Sequence, residues 1–250
     1  YEAMRYTALA GGKGFRPFLC LASAQIFDAP EPAATRVASA IECIHCYSLI
    51  HDDLPCMDDD DMRRGKPALH KAFDEATAIL AGDALISLAF EILTDEATHD
   101  TVSTRLDLVT GLARASGMQG MVGGQMIDMM AARDRLDAGG LTRLQKMKTG
   151  ALISFAVDAG AVLGGADANE RRALAGFAHD IGLAYQIADD VLDIEGDADI
   201  LGKSVGKDTA QGKSTFVSLL GVERAREQAL KLSYQAVGHL DAFGEHADPL

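Results

Sequence analysis

The stretch HDDLPCMDDDDMRRG, residues 51–65, packs six aspartates and two arginines side by side. Asp52, Asp53 and Asp58 stand in the spacing D-D-x-x-x-x-D. A second acidic cluster, AYQIADDVLDIEGD, sets Asp189, Asp190 and Asp193 in D-D-x-x-D. On a helix, Asp189 and Asp193 share one face, and like charges four residues apart destabilise an isolated helix. The rest of that helix is apolar (Ile181, Leu183, Ile187, Val191), which turns the acids toward an interior cleft. Buried carboxylates persist only when something compensates their charge. Oxygen-rich carboxylate sites suit Mg²⁺, a cation that takes few protein ligands and keeps several waters. Diphosphate oxygens would complete its shell. Asp59, Asp60 and Asp61 read equally well as a solvated acidic face.

A diphosphate site also needs cations from the protein, and in a chain of formal net charge −14 they stand out. GGKGFRP supplies Lys13 and Arg16; the first acidic cluster ends in Arg63 and Arg64; KMKTG supplies Lys148 beside Thr149. LGKSVGKDTAQGKST, after the second cluster, supplies Lys203, Lys207 and Lys213. The end of that stretch imitates a nucleotide-binding P-loop. The glycine such a loop requires would fall at Lys207, and the stretch follows a helix rather than a strand, so a P-loop NTPase is rejected.

The elements that must position these groups are helices. Apolar and small residues recur at three- and four-residue spacing through Ala33, Ala34, Val37, Ala40, Ile41, Ile44, Tyr47 and Ser48. The same period runs through residues 72–93, 101–130, 141–164, 169–195 and 213–240. Pro17, Pro30, Pro32 and Pro55 mark starts and breaks. No alternation at period two calls for a sheet, and no Gly/Ser linker divides the 250 residues. One all-α domain spanning 1–250 follows. Hydrophobic residues at 48% and charged residues at 24% give an ordinary globular balance. An acidic chain is a poor nucleic-acid binder. The longest nearly apolar run, residues 150–166, is interrupted by Asp158 and short for a membrane span. Cys43 and Cys46 form a CxxC in apolar surroundings with no second pair at zinc spacing, so they read as buried free thiols in a reducing compartment. The chain opens on Tyr1, and an N-terminal segment is expected to be missing, which leaves targeting open.

LIHDDLPCMDDDDMRRGKPALH and YQIADDVLDIEGD, with GGKGFRP upstream and KTG between, closely resemble the polyprenyl (isoprenyl) diphosphate synthases, and most closely their short-chain bacterial farnesyl-forming branch. The resemblance covers nearly the whole chain with the motifs in order. It implies an isoprenoid synthase-type bundle of about ten or more helices around a central cavity, a cytoplasmic homodimer without stable membrane insertion, and small-molecule diphosphate substrates. It implies head-to-tail prenyl transfer from an allylic diphosphate to isopentenyl diphosphate, assisted by about three Mg²⁺ ions per site, with Mn²⁺ as a substitute. Carried over motif by motif, Asp52, Asp53, Asp58, Asp189, Asp190 and Asp193 hold metal. Lys13, Arg16, His45 and Arg64 hold isopentenyl diphosphate. Arg63, Lys148, Thr149, Gln186, Lys203 and Lys213 contact the allylic diphosphate, and Lys148, Thr149, Gln186 and Lys203 take part in the chemistry. Gln125 and Asp128 match a stretch that lines the cavity. Departures are expected at the ends, where the resemblance implies a further first helix and a longer C-terminus.

The hard step is breaking a carbon–oxygen bond to leave an allylic cation and a diphosphate anion. Metal, Lys and Arg stabilise the leaving group, an apolar wall excludes water, and the oxygen dipoles of Thr149 and Gln186 support the cation. No side chain is an obvious general base, which points to the departing diphosphate as proton acceptor. Tyr47, five residues before Asp52 and followed by the small Ser48, is the nearest bulky plug for a growing chain; as an aromatic in a buried helix it also reads as core. With the Pro55-containing expansion of the first motif, the resemblance implies a C15 product, farnesyl diphosphate, with C20 or C10 as alternatives. A terpene cyclase and an inactive partner subunit remain as rival readings.

Overall fold

The computed structural model of the chain describes residues 1–131, 136–195 and 215–250. It is an all-α bundle. A short helix α1 (Glu2–Ala8) leads through the glycine-rich turn to α2 (Phe15–Ile26), with Pro17 in its first turn. Then comes α3 (Glu31–Asp52), entered through Pro30 and Pro32, where a missing N–H costs nothing. Its buried residues Val37, Ile41, Ile44 and Tyr47 follow the three-and-four spacing seen in the sequence. The chain continues through α4 (Leu69–Ala72) to α5 (Glu75–Thr94), capped where the Asp74 side chain accepts from the Thr77 N–H at 2.8 Å. After α5 follow α6 (Val102–Ser116), α7 (Met121–Ala131) and α8 (Ala138–Gln145). A π-helical turn, Lys146–Gly150, runs without a break into α9 (Ala151–Leu163). The long α10 (Ala168–Glu195), α11 (Phe216–Leu220), α12 (Val222–Gly238) and a closing 3₁₀ segment (Asp241–Ala247) complete the described chain.

The packing is layered around α3 and α9. Helix α3 lies along α5 and α2, α2 along α9, and α9 against α6 and α10. One large core runs from Leu19 and Cys20 through Ile41, Ile44, Leu85, Leu112, Ile153 and Phe177. A smaller cluster (Leu141, Ile187, Val191, Phe216, Leu232) ties α8, α11 and α12 to the far end of α10.

Three expectations are refined. Residues 101–130 are two helices, because the chain turns at Gly117–Gly120. The period-two search missed a miniature hairpin, in which Met62–Arg63 pairs antiparallel with Lys66–Pro67. Its two-residue turn, Arg64–Gly65, has positive φ at both positions (53° and 73°), the requirement of a type I′ connection. And α5, although interrupted by acids, is long and apolar enough to cross a membrane by length and composition. In the bundle, α5 buries Ala78, Gly82, Leu85, Ala89 and Leu93 against its neighbours and leaves Ile79 and Leu80 exposed. The four cysteines are free thiols; Cys20 and Cys46 are buried, Cys43 is half-buried and Cys56 is exposed.

Candidate active site

The first acidic motif is built by the end of α3. After Pro55 the chain folds back: the Asp58 N–H donates to the Asp52 carbonyl at 2.8 Å, and the Asp60 N–H donates to the Asp53 carbonyl at 3.2 Å. The expansion between the paired aspartates and Asp58 is therefore a closed loop that returns Asp58 to the side of Asp52. Burial pushes the Asp52 carboxyl up to about 6; Asp58 and Asp53 add to the rise, while Lys148 and Arg63 oppose it. A carboxylate pair that repels itself in a desolvated cleft is the donor set a hard divalent cation fits.

Asp53 carries a contact of its own. It is 2% exposed, and the Arg63 guanidinium grips it from both Nε and Nη2, with a further contact from Arg63 to Asp60 at 3.3 Å. Burial opposes Arg63's charge, but Asp53 and Asp60 outweigh it and raise the arginine's pKa. The sequence placed Asp53 among the metal ligands and Arg63 against the allylic diphosphate; the structure joins the two to each other. Asp61 pairs with Lys71 at 2.9 Å, and Asp59 lies exposed at the loop surface.

The second motif divides in the same way. Asp190, 4% exposed, accepts from the Phe216 backbone N–H at 2.8 Å and from Gln186 Nε2 at 3.1 Å, so it ties the start of α11 to α10. Asp189 faces the cleft with Lys13 Nζ at 4.0 Å, and Asp193 is buried one turn further on. Among the described residues, no three His, Cys, Asp or Glu side chains converge as a closed metal cage would. Open carboxylates of this kind fit Mg²⁺, whose remaining positions go to water and phosphate oxygens.

Two cavities meet between the motifs. The first, about 610 Å³, is a basic bowl lined by Lys13, Arg16, Arg63 and Arg64, with Asp189 at its edge. The second, about 380 Å³, is mostly apolar and runs along α3 and α7 past Tyr47, Ser48, Met121 and Met126. Arg16, His45, Leu49 and Thr149 line both. In the bowl, Arg16 Nη1 faces His45 Nε2 at 3.5 Å, so that nitrogen accepts. Burial first, then Arg16, Arg64 and Arg63, hold the imidazole well below its usual pKa, and His45 is neutral. Arg16 Nε and Arg64 Nη1 are buried without a hydrogen-bond partner among the described residues. Buried guanidinium groups do not stay unsatisfied without reason; an anion in the bowl would satisfy them. Lys13 reaches over the Tyr185 ring (5.6 Å), which in turn stacks on Phe15 (4.8 Å between centroids).

At the junction the π-helical turn presents Lys148 and Thr149. Lys148 Nζ bonds Asp128 at 2.5 Å; burial works against its charge, yet Asp128, Asp52 and Asp58 together raise its pKa. Thr149 Oγ1 donates to Gln186 Oε1 at 3.1 Å, and Gln186 passes the chain on to Asp190. Along the apolar cavity, Gln125 Oε1 is buried without a partner among the described residues. Tyr47 is buried, its ring edge-on to His51 at 5.7 Å, and burial pushes its phenol up to about 12. His51 Nε2 donates to the Ile79 carbonyl at 3.1 Å across the α3–α5 contact. Gly82 makes room for it, since a Cβ there would sit 2.2 Å from Nε2. Lys203 and Lys213 lie outside the described residues.

Sequence reasoning missed Glu42, His51 and Gly82 and gave Asp128 no role. Glu42 precedes His45 by three residues and so shares its helix face, a signal that was available. Gly82 carried none that separates it from other helix glycines.

An all-helical bundle with acidic motifs on two sides of a cleft, a basic bowl at its mouth and an apolar cavity behind is the isoprenoid synthase architecture. The chain belongs to the polyprenyl synthetase family, whose model matches residues 1–242, and it is a prenyltransferase. It is 48% identical to the farnesyl diphosphate synthase of Escherichia coli (strain K12), over 98% of this chain and 83% of that protein. It is 46% identical to a putative chloroplastic geranylgeranyl pyrophosphate synthase 8 of Arabidopsis thaliana, over 100% of this chain and 70% of that one. Among solved structures, an apo FPP/GFPP synthase from Zymomonas mobilis superimposes with a TM-score of 0.90 at 52% identity, covering 99% of this chain and 84% of that chain. A geranyltransferase from Helicobacter pylori complexed with magnesium and isoprenyl diphosphate does so with a TM-score of 0.88 at 36% identity, covering 99% and 83%.

Proposed function

We propose that the protein condenses an allylic diphosphate with isopentenyl diphosphate head to tail and releases farnesyl diphosphate. The observation that carries this reading is the junction at Thr149, where a basic bowl opens into an apolar cavity. Such a pair of spaces seats one diphosphate in the bowl and lets the hydrocarbon of the other run down α3. Arg16, Arg64, Lys13 and the neutral His45 bind the isopentenyl diphosphate. Lys148 holds the allylic diphosphate, as Lys203 and Lys213 are also expected to. Asp52, Asp58 and Asp189, with Asp193 behind, would hold Mg²⁺, or Mn²⁺ in the same oxygen set. The metal supplies positive charge to the departing diphosphate. Asp53 and Asp190 brace the motifs: Asp53 fixes Arg63, and Asp190 fixes Gln186 and the start of α11.

The chemistry asked of the side chains is modest. Lys148 meets the charge that grows on the leaving group. Thr149 and Gln186 bring oxygen dipoles to the junction where the cation would form, and the apolar wall keeps water from quenching it. The proton lost from the new product goes to the departing diphosphate. Tyr47 stops the chain. The farnesyl-forming relatives from E. coli and Geobacillus stearothermophilus, at 48% and 46% identity, favour C15; the chloroplastic geranylgeranyl relatives keep C20 as the second reading. A second copy of the chain covers the exposed face of α5, and four free thiols suit the cytoplasm.

The test is incubation with Mg²⁺, dimethylallyl diphosphate and labelled isopentenyl diphosphate, followed by chromatography of the products. A C15 diphosphate is expected. A cyclised hydrocarbon, or no condensation at all, would refute the assignment.

A further inference from the structure

An anion site should exclude carboxylates, yet Glu42 stands inside the basic bowl, beside Arg16, His45 and Arg64. Its Oε1 accepts from Arg64 Nη2 at 3.3 Å and from the Cys46 thiol, one helical turn on, at 3.7 Å. Both members of the pair are mostly buried, with side-chain exposures of 16% for Arg64 and 25% for Glu42. Arg64 itself sits at a left-handed φ of 53°, in the two-residue turn of the hairpin. That conformation is uncommon for a residue with a Cβ and persists where surroundings enforce it. The guanidinium plane lies on Gly12, where a Cβ would come within 2.8 Å of Cζ. Turn, glycine floor and carboxylate thus fix Arg64 from three sides; its Nη1, like the Nε of Arg16, is buried without a hydrogen-bond partner among the described residues.

We infer that Glu42 is a positioning residue: it holds the Arg64 guanidinium in the geometry that receives the diphosphate of the non-allylic substrate, and so strengthens anion binding although it carries negative charge itself. The inference rests on the prenyltransferase reading above and deepens it at one subsite. Arg16, Arg63 and Arg64 lie close enough that all three act on His45. Without a counter-charge, mutual repulsion and side-chain entropy would send Arg64 into solvent. Binding would then have to order it. Cys46 fixes the carboxylate in turn, since its thiol donates to the same oxygen that Arg64 grips.

Simple charge counting predicts the opposite sign, which makes the inference testable. If Glu42 acted only as a charge, removing it would tighten diphosphate binding. If it positions Arg64, Glu42→Ala raises KM for isopentenyl diphosphate by about tenfold, the size of one charge-assisted hydrogen bond, while KM for the allylic substrate stays within about twofold. Glu42→Gln keeps the acceptor oxygen and shape and recovers part of the loss; it also serves if the alanine variant fails to fold. In an Arg64→Ala background the Glu42→Ala effect vanishes, because a residue that acts through another has nothing left to act on. A fall or no change in KM for isopentenyl diphosphate in both Glu42 variants overturns the inference, as does an undiminished effect in the Arg64→Ala background. If the wild-type protein condenses no isopentenyl diphosphate, or Arg64→Ala leaves its KM unchanged, the reading of the bowl fails instead.

Discussion

At the scale of single residues, the site separates groups that wait for ligand from groups that brace. His45 shows what waiting costs. Its imidazole is held neutral by burial and three arginines, whereas in the unfolded chain it takes a proton below its ordinary value of 6.5. The unfolded state therefore binds more protons in acid, and this group's contribution to stability, present above pH 6.5, is lost as pH falls. Asp52 has the opposite sign: its folded value of about 6 lies above the unfolded 3.8, so the folded state gains protons as pH falls through that window. Comparing wild type with His45→Gln isolates the first effect. Urea unfolding is expected to show the variant less acid-sensitive by about 1–2 kcal/mol between neutral pH and about pH 5. Parallel pH profiles for the two proteins would remove the buried neutral histidine from the account. The spacing of Asp52, Asp58, Asp189, Arg16, Lys148 and Thr149 was legible because chemistry dictates both their type and their separation. The contact between Arg63 and Asp53 was not, because nothing in a sequence says which arginine a given aspartate will meet.

At the scale of elements, the contact between α3 and α5 backs the proposed stop at Tyr47. Tyr47 leans on His51, His51 is tied to the α5 backbone at Ile79, and Gly82 leaves the space. Tyr47→Ala is expected to shift products from C15 to C20 or longer, with about 3–5 kcal/mol lost from stability where the ring was packed. Folding is checked first by circular dichroism; a folded, active variant that still stops at C15 moves the stop to Cys43 or Ile44. Gly82→Ala forces the imidazole off its seat, costs roughly 1–3 kcal/mol by overpacking, and broadens the product distribution. Unaltered products from a folded Gly82→Ala protein would separate His51 from the stop. The helices themselves were readable from apolar spacing, while their interruptions were less so. The Gly117–Gly120 turn sits in a stretch whose period runs straight through it. The I′ turn escaped because Arg, unlike Asn or Gly, gives no advance sign of a left-handed backbone.

At the scale of the whole molecule, α5 and α6 carry apolar side chains on their outer surface, where the proposed second copy would pack. Leu80 is 67% exposed and Leu106 62% exposed, on helices whose inner faces are already packed. Sedimentation velocity is expected to give twice the chain mass, and Leu80→Glu or Leu106→Glu to shift the population toward single chains. A wild-type protein that sediments as one chain would leave these residues to another role. The bundle class was legible from helical period and the lack of any strand pattern. The outer surface was not, since a continuous-run criterion passed over a helix in which Asp83 and Glu91 interrupt the apolar residues.

The π-helical turn at Lys146–Gly150 has a consequence for how this segment can change. It holds one residue more than an α-helical turn would need between α8 and α9. Deleting any single position there would let residues 138–163 wind as one regular helix, at almost no local cost. The helices on either side would keep their register, and only the side chains of the turn between them would shift around and along the axis. A deletion at Gly150 would carry Lys148 away from Asp128 and Thr149 away from Gln186. Residue identity in the turn can drift as long as Lys148 and Thr149 stay, but its length cannot: this short segment is a spacer whose information lies in the number of its residues.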